Sequence, residues 1–100
     1  MKSVRITVVR KVWHEDLSQK YENSIENACD MNLYDTFVYD GKGKPEGLCQ
    51  SAWESMSQFV IMLYEGAEDI YDGWMKNKRS AMISCNDGFR PVSFYIEVIE

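Results

Sequence analysis

Cys29, Cys49 and Cys85 are the residues of this chain best able to do chemistry. A cysteine thiolate is at once a nucleophile, a redox group and a ligand for soft metals. Cys85 opens the run Cys85-Asn86-Asp87-Gly88-Phe89-Arg90-Pro91, which adds a carboxylate and a guanidinium to the thiol. Arg90 is the nearest cation that could stabilise an ionised Cys85. Cys49 stands just ahead of a helix start, where unpaired amides and the positive end of the helix dipole favour an anion, and Lys44 close by in sequence pushes the same way. Cys29 has no comparable activating group beside it. Three thiolates with His14, the chain's one histidine, would complete a tetrahedral set for zinc or another soft transition metal. The short Cys-x-x-Cys clamp that usually announces such a site is missing.

Each of these residues also has a plain structural role. Cysteine packs as a small hydrophobe, and Cys85 shares a strand face with Ala81 and Ile83. Asp87-Gly88 is what a tight turn needs. Arg90, held extended by Pro91, could pair with Asp87 or Glu46 as readily as with an anionic ligand. His14, beside Trp13 at a strand end, suits a solvated surface. Trp53, Trp74, Phe59 and Tyr64 fit core and rim packing, since no glycine-rich phosphate loop accompanies them.

The elements that must position these groups follow from periodicity. Val4, Ile6, Val8 and Val12 alternate with Arg5, Thr7 and Lys11, which predicts a first strand with one face in the core. Asp16 to Tyr21 forms a short helix with Leu17 and Tyr21 on one face. Thr36-Phe37-Val38-Tyr39, rich in β-branched and aromatic residues, makes a strand that runs into the loop Gly41 to Gly47. The main helix begins near Ser51, with Ser51 and Glu54 as a capping box, and stops at Gly66. Ala52, Met56, Phe59, Val60 and Leu63 form its apolar stripe, widened by Trp53 and Tyr64. Ser80 to Cys85 and Val92 to Ile99 pair as an antiparallel hairpin. The expected fold is α+β: a mostly antiparallel sheet of about four strands with one main helix on one face.

Composition limits the partners. One hundred residues, 45% hydrophobic, make a single compact domain over residues 1–100, able to bury roughly two thirds of its unfolded surface without a disulfide or metal. A net charge of −5 with scattered basic residues argues against nucleic acid, since that affinity needs clustered Lys and Arg on phosphates. Lys76, Lys78 and Arg79 form the only basic cluster, read as a solvated turn. Arg5 and Arg10 interrupt the apolar run a signal peptide requires, and no window is apolar enough to cross a bilayer, so a cytoplasmic location with no membrane partner is expected. In that compartment an odd number of cysteines reads as free thiols, ligands or redox groups.

The opening Val4-Arg5-Ile6-Thr7-Val8-Val9-Arg10-Lys11, the Asp16 to Tyr21 segment, Cys29, Pro45-Glu46-Gly47-Leu48-Cys49 followed by Ala52-Trp53, and Cys85-Asn86-Asp87-Gly88-Phe89-Arg90-Pro91-Val92 together resemble a family of small, uncharacterised three-cysteine proteins of anaerobic bacteria and archaea. Gln50, where that family commonly has proline, and Tyr34-Asp35-Thr36, where it usually has Gly-Asp, depart from the pattern. The resemblance implies that the three thiols act as a set, and it implies no activity.

Three functions fit these residues. The first is a binding or accessory module with a pocket formed by Cys29, Cys49, Cys85, Asp87 and Arg90 for a metal or small anionic ligand. The second is an interaction domain with inert cysteines, associating as a homodimer through an apolar surface around Tyr71, Trp74 and Met75. The third is a thiol-dependent redox or nucleophilic enzyme, with Cys49 or Cys85 assisted by His14, Asp87 or Arg90.

Overall fold

Alternating apolar and polar residues in the N-terminal segment build one of the two central strands of the sheet, and the other elements assemble around it. In the computed structural model, which describes residues 2–23 and 31–100, the chain runs β1 (Ser3–Lys11), α1 (Glu15–Tyr21), β2 (Thr36–Tyr39), α2 (Gln50–Tyr64), β3 (Ser80–Ser84) and β4 (Val92–Ile99). The four strands form one sheet in the order β2-β1-β4-β3, with every neighbouring pair antiparallel. This is the expected α+β architecture, with α2 as its main helix.

The core is where the two periodicities meet. Val4, Ile6 and Val8 of β1, Ala81 and Ile83 of β3, and Val92, Phe94 and Ile96 of β4 pack against Ala52, Met56, Val60 and Leu63 of α2. The spacing of three and four in α2 turns one stripe to the sheet, while the spacing of two in the strands turns alternate residues to the helix. Trp53 and Tyr64 widen the stripe as expected, both rings packing against Tyr39, Trp53 tilted and Tyr64 edge-on, at centroid distances of 5.6 and 5.2 Å.

Gly66 ends α2 as the sequence predicts. It takes φ +105°, its amide donates to the Leu63 carbonyl, and the Ala67 amide donates to that of Met62. This paired pattern satisfies carbonyls that the last turn leaves open.

Two expectations need correction. Val12 does not continue the buried face of β1 and is 39% exposed. A bulge between Val8 and Arg10 inserts one residue into the pairing with β4, which reverses the alternation and keeps Arg10 out of the core. The Ser51–Glu54 capping box does not form: α2 starts one residue earlier, with Cys49 at its N-cap and no side-chain cap bond. In α1, Leu17 and Tyr21, expected on one face, are both exposed, and the buried residue is Ser18, which accepts a hydrogen bond from Trp13 Nε1 at 2.9 Å. A helix of two turns has little apolar area to bury, and this polar bond to Trp13 fixes its rotation.

Candidate functional site

Two chain reversals meet at one end of the sheet. The Pro45-to-Cys49 segment delivers the start of α2, its turn closed by the Leu48 amide on the Pro45 carbonyl. The β3–β4 connection delivers residues 85–91. Ser51 Oγ, freed from the expected capping role, donates to Asn86 Oδ1 at 3.1 Å and ties the helix start to that connection.

Between them lies a cavity of about 80 Å³, room for several water-sized groups. Four of the five residues expected at the pocket line it: Cys49, Cys85, Asp87 and Arg90. Met31, Ala52, Val92 and Phe94 supply an apolar wall. The fifth, Cys29, lies outside the described residues. Cys49 and Cys85 are both free thiols of intermediate burial, separated by 36 positions in sequence and brought to one hollow by the fold.

The charged groups are held by the protein itself. Asp87 Oδ1 accepts from the amides of Phe89, at 2.8 Å, and Arg90, at 3.2 Å, so the carboxylate shapes its own turn. Arg90 pairs with neither Asp87 nor Glu46 through its guanidinium: Nη1 donates to both carboxylate oxygens of Glu22, at 2.8 and 2.9 Å. Its guanidinium carbon also sits 5.5 Å from the centre of the Trp13 ring, a cation–π contact. Lys44 is likewise engaged, donating to the Leu48 carbonyl at 2.6 Å.

Cys85 has a defined partner. Its amide donates to the Val92 carbonyl at 3.0 Å, and the Val92 amide donates back to Cys85 Sγ at 3.3 Å. The N–H directed at sulfur fixes where the side chain points. Cys49 lies at the N-terminal end of a fifteen-residue helix, where the dipole favours negative charge. His14 is exposed and joins the same end of the fold through its backbone, its amide donating to the Phe89 carbonyl at 2.8 Å.

Among the described residues, no three of histidine, cysteine, aspartate and glutamate gather into a group that could hold a metal ion. The expected set of Cys29, Cys49, Cys85 and His14 includes Cys29, which lies outside those residues. Sequence reasoning missed Met31, Glu22 and the Ser51–Asn86 bond. None has a local signal: Glu22 and Arg90 are 68 positions apart, and Met31 belongs to no periodic run.

Compared with protein-family models, curated proteins and solved structures, the chain matches none of them. The cavity has to be read from its own chemistry.

Proposed function

We propose that the chain is a small binding module whose cavity between the start of α2 and the β3–β4 connection takes one thiophilic ligand, a soft metal ion, held jointly by Cys49 and Cys85. The observation that carries this reading is the lining of one hollow by two free thiols distant in sequence. A small anionic ligand is the weaker occupant, because Arg90 already holds Glu22 and the Asp87 carboxylate also faces the hollow. A nucleophilic enzyme would need a base beside a thiol, and the hydrogen bond to Cys85 Sγ comes from a backbone amide.

Metal analysis of protein purified without oxygen tests the proposal. Stoichiometric metal in the wild type, lost in Cys49→Ser and in Cys85→Ser, is the expected result. Metal retained in both variants would refute joint ligation, and Cys29→Ser reports whether the third thiol of the resemblance belongs to the set.

A second reading, homodimerisation, is favoured by Trp74, which is 83% exposed at the end of a ring ladder through Tyr71 to Phe59. Sedimentation of the wild type against Trp74→Ala decides it: a concentration-dependent dimer abolished by the substitution is its expected result, and a wild-type monomer excludes it.

A further inference from the structure

Met31 is 4% exposed and lines the hollow with Cys49 and Cys85, which places three sulfur-bearing side chains around one cavity. We propose that the cavity is selective for a monovalent d10 ion, Cu(I), bound by the Cys49 and Cys85 thiolates with the Met31 thioether as third ligand. This rests on the thiol-ligand reading above and names its ion and its third donor.

Ligand chemistry decides between ions. Zinc in a structural site takes four nitrogen, sulfur or oxygen donors. The described residues offer no group of even three from histidine, cysteine, aspartate and glutamate. Soft thiolate and thioether donors suit Cu(I) as well as zinc and iron–sulfur clusters, and a set of two thiolates and one thioether falls short of the four donors zinc takes. Ala52, Val92 and Phe94 add an apolar wall, and besides Asp87 and Arg90 the other polar side chain on the lining is Ser51, whose hydroxyl is engaged with Asn86. Asp87 is the one carboxylate on the lining, and its Oδ1 already accepts two amide hydrogen bonds.

Charge and orientation agree. Loading replaces two thiol protons with one Cu(I), leaving a net single negative charge and releasing the protons to solvent. That negative charge sits at the N-terminal end of α2, which favours it. The Val92 amide on Cys85 Sγ supplies the supporting hydrogen bond that tunes and orients a metal-bound thiolate.

Anaerobic titration with Cu(I) against a chromophoric Cu(I) chelator, with Zn(II) in a parallel arm, tests the assignment. The expected result is one Cu(I) per chain, a near-ultraviolet sulfur-to-copper band, and loss of both in Cys49→Ser and Cys85→Ser, each checked for folding by circular dichroism. Met31→Leu keeps the side-chain volume without the sulfur. It is expected to weaken binding by about tenfold or more, the scale on which metal sites respond to losing a supporting group. Unchanged Cu(I) affinity in Met31→Leu, or tighter Zn(II) than Cu(I), would overturn this inference while leaving a thiol-ligand pocket standing. Copper binding indifferent to both cysteine substitutions would overturn the inference and the pocket reading together.

Discussion

Arg90 is the residue on which the electrostatics of the cavity turn. Its guanidinium is shared between Glu22, the Trp13 ring and the hollow, so the positive charge it lends to a thiolate is already partly neutralised. The side chains of the pair are 26% and 13% exposed, which makes this the least solvent-screened ion pair described. Glu22→Gln is expected to lower stability by about 1.5–3 kcal/mol in urea denaturation, the range for hydrogen bonds to charged groups. The same substitution leaves Arg90 with its full charge beside the thiols and is expected to raise their alkylation rate at neutral pH. An unchanged rate would show that Arg90 does not act on the sulfurs. At this scale the sequence was half legible. Cys49, Cys85, Asp87 and Arg90 stand out by type, and four of the five expected pocket residues share one cavity. Their partners were illegible, because Glu22 and Asn86 are ordinary surface residues until the fold brings them to Arg90 and Ser51.

At the scale of elements, ends and edges carry the specificity. Gly66 sits at φ +105° with open space where a Cβ would project, so Gly66→Ala meets backbone strain and no clash. It should cost about 1–2 kcal/mol, the left-handed penalty for an L-residue, read as a lower urea midpoint with unchanged slope. The outer edge of β3 is covered differently: Tyr71 Oη donates to the Met82 carbonyl at 2.8 Å, occupying a group that an incoming strand would pair with. Burial pushes the Tyr71 phenol above its ordinary value of 10.0, and the bond to Met82 partly opposes the shift. A raised folded value means that the unfolded chain loses this proton first. The tyrosine's contribution is therefore intact below about pH 10 and declines as pH rises beyond it. Tyr71→Phe is expected to flatten that alkaline decline in a pH series of thermal unfolding. Strand and helix periodicity made these elements readable. The bulge at Val9 and the displaced α2 cap were not, since both depend on register with β4 and with the β3–β4 connection.

For the whole molecule, core and cavity share a wall. Phe94 and Val92 belong to the central packing and also face the hollow, so ligand chemistry and folding stability are mechanically joined there. Phe94→Ala is expected to cost about 3–5 kcal/mol and to enlarge the hollow as well. The topology explains why a site was visible in the sequence only as fragments. In the order β2-β1-β4-β3 the start of α2 and the β3–β4 connection meet at one end of the sheet, and no local spacing encodes that meeting.

Capture by phenylarsine oxide tests the shared hollow most directly, because trivalent arsenic gives a stable adduct by condensing with two neighbouring thiols, losing water. In a Cys29→Ser background, native protein is expected to take up one arsenical per chain that resists a monothiol, and Cys49→Ser or Cys85→Ser is expected to abolish it. No uptake by the folded parent, or equal uptake by either single-thiol variant, would contradict the account.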